Sequence, residues 1–189
     1  SAIFIPQMLQ ALVSALEQGA EPLGQLRFLA VGGAPVSPRL LARARALGLP
    51  VHEGYGLSEC ASVVALNVPG RNLPGSVGRL LPHVRLRFAA DGEIEVAGSQ
   101  FRGYLGMPDA SPDVFWPTGD IGHLDESGFL HLTGRKKNMF ITSFGRNVAP
   151  EWVEREIMLE PAIRHVLVHG EARPYAVAIV SANRDGADA

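Results

Sequence analysis

The sequence predicts a mixed α/β and β fold laid down in three successive textures. Strand-like and helix-like runs alternate up to about residue 70. Short period-two runs broken by glycine and proline continue to about residue 134, and a helix flanked by strands follows. Of the 189 residues, 47% are hydrophobic and 19% charged, the balance of a core-forming chain. The expected divisions are 1–70 as an α/β part, 71–134 as a distorted β-barrel-like part and 135–189 as a small α+β part.

The opening Ser1–Pro6 is apolar, without a basic flank or a small-residue cleavage pattern, and reads as a strand entered mid-stream rather than a signal peptide. Pro6 to Glu17 is expected to be a helix. Met8, Leu9, Leu12, Val13 and Leu16 recur at helical spacing, Pro6 opens it and Gly19 follows it. Leu26 to Val31 reads as a strand closed by Gly32-Gly33. Ser37 is the expected N-cap of a second helix with Pro38 at its first position, an apolar face of Leu40, Leu41, Ala44 and Leu47, and Gly48 at its end. Pro50 to Tyr55 reads as the next strand, so a mainly parallel sheet is expected. Val84–Phe88 and Glu93–Val96 are antiparallel candidates, with Asp91-Gly92 as a turn and Pro108 among the residues punctuating the region. Gly134–Lys137 reads as a basic turn and Met139–Thr142 as a strand. Pro150 to Leu159 reads as a helix anchored by Trp152, Val153 and Ile157 and stopped by Pro161. Arg164–His169 and Tyr175–Val180 are the closing strands, expected to pair poorly and to pack on a neighbouring copy. Ser181–Ala189 reads as a loop, and both ends suggest a chain cut from something larger.

A net charge of −2 gives no general attraction to nucleic acid or to an anionic membrane, and no apolar run is long enough to cross a bilayer. The single cysteine, Cys60, excludes an intrachain disulfide and gives no sign of an oxidising compartment, so a cytoplasmic setting is expected. Cys60 has no paired base and reads as packing. His52, His83, His123, His131, His165 and His169 lack metal-ligand company and read as structural. His52 is the one to watch, because it adjoins Glu53-Gly54-Tyr55.

Several short motifs occur in order: Gly32-Gly-Ala-Pro-Val-Ser37, Glu53-Gly-Tyr-Gly-Leu-Ser-Glu59, Gly92-Glu-Ile-Glu-Val96, Gly103-Tyr104, Thr118-Gly-Asp120, Gly134-Arg-Lys-Lys137 and Gly145-Arg-Asn-Val-Ala-Pro-Glu-Trp-Val-Glu154. The set resembles the adenylate-forming superfamily of acyl-CoA synthetases, firefly luciferase and peptide-synthetase adenylation domains, and the runs Phe140–Pro150 and Arg173–Ile179 look like long-chain fatty acyl-CoA synthetases more than peptide-synthetase domains. The resemblance implies the C-terminal part of a large domain, with a mainly parallel α/β layer and a small distorted β-barrel, then the start of a small mobile α+β domain. It implies ATP or AMP, Mg²⁺ and coenzyme A as ligands, and a carboxylic acid, fatty most of all, as substrate.

The chemistry explains the residue types. A carboxylate attacking the α-phosphate of ATP brings two anions together, so the site must neutralise charge and hold the nucleotide in line. Glycines at 32 and 33 let backbone pass close to a flat ring, and Tyr55 offers a stacking face. By resemblance, Gly33, Ala34 and Pro35 with Gly54, Tyr55 and Gly56 sandwich adenine and line the acyl pocket. Ser58 then contacts the α-phosphate, where the family more often has Thr, and Glu59 holds Mg²⁺. Asp120 and Arg135 would bind the ribose, Lys137 would be the hinge, and Gly145 would lie in the loop that guides the coenzyme A thiol. Singly, each motif also suits a plain turn, helix start or solvated basic stretch.

The resemblance also implies a Ser/Thr/Gly-rich loop ending in Pro-Lys, expected upstream of Ser1, and a lysine expected beyond Ala189. Without them this segment alone is expected not to catalyse adenylation. Alternatives are an aryl-CoA ligase, a fatty acyl-AMP ligase that loads an acyl carrier protein, and a non-catalytic nucleotide-binding relative. A dinucleotide-binding Rossmann fold is disfavoured, because no Gly-x-Gly-x-x-Gly follows a strand.

Overall fold

Proline and serine set the first helices where the sequence places them. The computed structural model describes residues 1–21, 23–106, 109, 111 and 113–183, so Pro108 and most of the closing Ser181–Ala189 segment lie outside the described residues. The chain divides into two compact units, Ser1–Thr133 and Gly134–Ala189.

In the first unit, β1 (Ala2–Phe4), β2 (Leu29–Val31) and β3 (Val51–Tyr55) pair in parallel, in that order. Helix α1 (Pro6–Glu17) connects β1 to β2, and α2 (Pro38–Ala46) connects β2 to β3. Pro6 opens α1 because a missing N–H costs nothing where the first amides lack helical partners anyway. Ser37 caps α2, its Oγ accepting from the amides of Arg39 at 3.1 Å and Leu40 at 3.4 Å. Leu9 and Val13 of α1 and Leu40, Leu41 and Ala44 of α2 are buried, and Arg43 grips Glu17 with two nitrogens at 2.9 and 2.5 Å. Met8 and Leu47, expected on the apolar faces, are exposed. Met8 points off the buried Leu9–Val13 stripe, and Leu47 sits at the end of α2 as its C-cap. Strand β2 begins at Leu29 rather than Leu26.

The expected parallel layer changes hand after β3. Strand β4 (Ala65–Leu66) pairs antiparallel with β3, and β5 (Arg79–Leu80) pairs antiparallel with β4, completing a five-stranded sheet. The connection over residues 56–64 holds one 3₁₀ turn, Ser58–Cys60, too short for the crossover that a parallel return needs.

A second sheet holds β6 (Arg85–Phe88), β7 (Glu93–Ala97), β8 (Trp116–Leu124) and β9 (Leu130–Arg135) in that order. Asp91 fixes the β6–β7 turn by accepting from the Glu93 amide at 3.1 Å. This sheet stays open, whereas a small distorted barrel was expected. A barrel interior just wide enough for side chains takes about eight strands, and this sheet has four. Instead it shares a core with the first sheet: Tyr55, Cys60, Val64 and Ala65 pack with Val84, Ile94, Val96 and Leu130.

In the second unit, β10 (Phe140–Ile141) and β11 (Asn147–Val148) form a hairpin, followed by α3 (Pro150–Ile157). Strands β12 (Ile163–His169) and β13 (Val177–Ala182) pair antiparallel from Ile163↔Ala182 to His169↔Val177, with one irregularity between Ile163 and His165, where poor pairing was expected. Helix α3 packs on β12 and stops at Ile157. Trp152 and Val153, expected as anchors, are exposed, and the Arg155 guanidinium covers the Trp152 ring at 4.0 Å. Pro150 and, just past the helix, Leu159 are buried, and Ile157 is half-buried.

Candidate functional site

The first residues to consider lie where parallel strands end, because loops beyond the carboxyl ends of such strands are where α/β sheets hold ligands. Gly33, Ala34 and Pro35 follow β2 and are exposed; the Gly32 amide donates to Phe4 O at the end of β1, at 3.1 Å. Gly54 and Tyr55 end β3, and Gly56 follows. A side chain at Gly32 would meet Gly54 O at 2.7 Å, so this glycine brings two strand ends together rather than opening a path to a ligand. At Gly56 a Cβ would meet Ser62 O at 1.9 Å, so the loop carrying Ser58 and Glu59 folds back over Gly56 only because it has no side chain.

Asp120 reaches this end of the sheet through a bulge. In the β7–β8 ladder, Glu93 faces Ile121 and Glu95 faces Pro117, so Thr118-Gly119-Asp120 stands opposite Ile94 alone. Side chains pin the bulge: Thr118 Oγ1 donates to Ile94 O at 2.8 Å and accepts from the Asp120 amide at 3.1 Å, while the Gly119 amide donates to Glu93 Oε1 at 2.9 Å. Gly119 supplies the φ of 76° that the bulge requires. Asp120, 7% exposed, then accepts at Oδ2 from the Tyr55 hydroxyl at 2.6 Å. Tyr55 itself is a core residue, 8% exposed, with its ring among Cys60, Val64 and Ala65.

Ser58 and Glu59 occupy the 3₁₀ turn after β3, with Ser58 exposed and Glu59 half-buried. Glu59 Oε1 accepts from the Tyr104 hydroxyl at 2.7 Å, and Glu59 O accepts from the Phe101 amide at 2.7 Å. The bond to Glu59 holds the Tyr104 phenol above its ordinary range. Tyr55, Asp120, Ser58, Glu59 and Tyr104 are thus tied to one end of the first unit.

Arg135, Lys137 and Gly145 belong to the second unit. Arg135 ends β9, and its carbonyl accepts from the amides of Asn138 and Met139, making the exposed basic turn that was expected. Lys137 lines a cleft of about 500 Å³ together with Phe140, Glu151, Glu154, His169 and Glu171. Gly145 sits in the β10–β11 hairpin at φ 73°, its amide donating to Thr142 O at 2.9 Å, with open space where a Cβ would stand.

Cys60 is buried, and burial, with the Glu59 charge second, pushes its thiol up to about 11, so it packs and does not attack. His52 is buried and stacked on Phe28 at 4.8 Å; burial first, and Arg45 second, hold its pKa below the ordinary value. No group of three or more His, Cys, Asp or Glu among the described residues could hold a metal. No helix among the described residues is long and apolar enough to cross a membrane.

Tyr104, Thr118 and Glu93 lie within the Gly103-Tyr104, Thr118-Gly-Asp120 and Gly92–Val96 motifs, yet their roles here are not visible in those motifs. The bonds from Tyr104 to Glu59 and from Gly119 to Glu93 join residues 45 and 26 positions apart, and no local pattern signals such a pair.

A family model described as AMP-binding enzyme matches residues 2–105. A long-chain-fatty-acid–CoA ligase, FadD15 of Mycobacterium bovis, is 40% identical over 163 residues, 84% of this chain and 27% of that protein. This chain thus spans about a quarter of that relative's length. The o-succinylbenzoate coenzyme A synthetase of Bacillus subtilis, solved with its acyl-adenylate intermediate, aligns at a TM-score of 0.79 and 25% identity over 97% of this chain and 42% of that one. The same enzyme solved with ATP and a magnesium ion aligns at 0.76 and 26%, over 95% and 41%.

Proposed function

The chain belongs to the AMP-binding enzyme family, and from that premise we propose that it is the nucleotide-holding segment of an ATP-dependent, AMP-forming acid–CoA ligase. The observation that carries the proposal is the Tyr55–Asp120 bond: it sets a buried carboxylate against the last residue of β3, the strand that pairs with β2. A carboxylate accepts well from vicinal sugar hydroxyls, and Asp120 is the ribose-binding residue of this reading. Gly33, Ala34, Pro35, Gly54, Tyr55 and Gly56 form the adenine and acyl side. Ser58 donates to the α-phosphate, and Glu59 is the cation's protein ligand. Bound there, the cation would supply charge neutralisation at the phosphates. Arg135 contributes to the ribose, Lys137 is the hinge and Gly145 belongs to the thiol-guiding loop.

Phosphoryl chemistry of this kind asks the protein for position and charge rather than covalent participation. Tyr55 and the Thr118 bulge hold Asp120 before any ligand arrives, so little reorganisation is needed on binding. The 40% identical relative supports a fatty acid as substrate and coenzyme A as acceptor. The o-succinylbenzoate neighbour supports a second reading, an aromatic acid. A soluble cytoplasmic parent protein is part of the proposal.

Calorimetric titration of the chain tests the nucleotide reading. AMP is expected to bind saturably, NAD not at all, and Asp120→Asn to weaken AMP at least tenfold. Equal AMP binding by wild type and Asp120→Asn would remove the ribose assignment. Profiling the parent protein against fatty acids of increasing length and substituted benzoates separates the two acid readings, and preference for benzoates defeats the fatty one.

A further inference from the structure

The functional reading leaves Tyr104 without a role, yet the residue is held firmly. Its ring is edge-on to Phe101 at 4.8 Å and to Trp116 at 6.0 Å, and Phe101 is itself edge-on to Trp116 at 4.9 Å. Trp116 opens β8, the strand whose bulge carries Asp120. The same short segment binds Glu59 twice: the Phe101 amide donates to its carbonyl and the Tyr104 hydroxyl to its Oε1, each at 2.7 Å. Tyr104 is 53% exposed, so water could satisfy its hydroxyl equally well. The ring cluster is what directs that hydroxyl to the carboxylate.

We propose that Tyr104 is a positioning residue for Glu59, fixing the rotamer and plane of the carboxylate before a divalent cation bound to nucleotide phosphates arrives. The inference rests on the functional reading for the identity of the ligand, and on the two bonds above for the role of the residue. A half-buried glutamate on a short turn still has several rotamers open to it, and only some present an oxygen to the cation. Holding one oxygen in advance removes that loss. Partners that orient a metal-ligating carboxylate typically change metal affinity by about 10- to 100-fold when removed. Phenylalanine at 104 would keep the ring cluster and remove only the hydroxyl.

The test uses the 189-residue chain as wild type, Tyr104→Phe, Glu59→Gln and the double variant, with Mn²⁺ as the probe cation. ATP affinity is measured with and without Mn²⁺, AMP affinity is measured without it, and free Mn²⁺ is followed by its paramagnetic resonance signal. Tyr104→Phe should cut the Mn²⁺-dependent gain in ATP affinity by about 10-fold or more and leave AMP affinity within about twofold. The double variant should be no weaker than Glu59→Gln, because the hydroxyl acts only through that carboxylate. If Tyr104→Phe keeps the full Mn²⁺-dependent gain while Glu59→Gln loses it, the inference is wrong and the functional reading stands. Additive losses in the double variant, or an equal loss of AMP affinity in Tyr104→Phe, overturn it in favour of a purely structural tyrosine. If Glu59→Gln keeps the gain, or wild type takes no nucleotide, the functional reading itself fails and the inference falls with it.

Discussion

Asp120 shows how one residue can carry both stability and a proposed ligand contact. Its carboxylate is buried and bonded to Tyr55, so removing the hydroxyl in Tyr55→Phe leaves a buried charge with one donor fewer. A hydrogen bond to a charged group contributes about 1.5–3 kcal/mol, and urea midpoints of Tyr55→Phe should fall accordingly. An unchanged midpoint would mean that water replaces the hydroxyl at no cost. His52 sets a pH dependence. Its folded pKa is lowered by burial and then by Arg45, so above about pH 6.5, the ordinary histidine value, both states are neutral and its contribution is intact. As pH falls through that value the unfolded chain takes up the proton first, and stability declines. Replacing His52 by Phe, which can still stack on Phe28, should flatten the urea midpoint between pH 7.5 and 5. An equally steep profile in the variant would assign the slope to other groups. Asp125 acts in the same direction at lower pH: its bond from His131 holds its pKa down, so its contribution is present above about pH 3.9, the ordinary aspartate value, and is lost as pH falls through the folded value.

At the scale of elements, caps and bulges decide where side chains go. Ser37 satisfies two α2 amides, and Ser37→Ala should cost about 1 kcal/mol with no effect on the sheet, read as a lower urea midpoint at unchanged slope. The β8 bulge is more consequential. Gly119 has a φ of 76°, which a β-branched residue does not tolerate. Gly119→Val should therefore disturb the Thr118 and Glu93 bonds together and displace Asp120, lowering stability and AMP affinity in parallel. If AMP affinity persists while stability drops, the bulge does not position the ribose carboxylate. Both elements were visible in the sequence to different degrees. Ser37-Pro38 announces its own function, whereas Thr118-Gly119-Asp120 reads as an ordinary turn until β7 is placed beside it.

For the molecule as a whole, the proposal separates holding a nucleotide from turning it over. Within these residues no Ser/Thr/Gly-rich loop ending in Pro-Lys is present, so the chain is expected to bind AMP yet show no pyrophosphate exchange; measurable exchange would refute that division. The sequence by itself determined the starts of all three helices, the strand carrying Tyr55 and the family to which the chain belongs, because capping, periodicity and short motifs are local properties. It did not determine the antiparallel turn of the sheet after β3 or the open second sheet. Nor could it reveal that Tyr55, Cys60 and Val64 share a core with Ile94 and Leu130, or that Tyr104 reaches Glu59. Those outcomes depend on packing and hydrogen bonding between segments distant in the chain, and such contacts acquire their energy only once the intervening chain has folded.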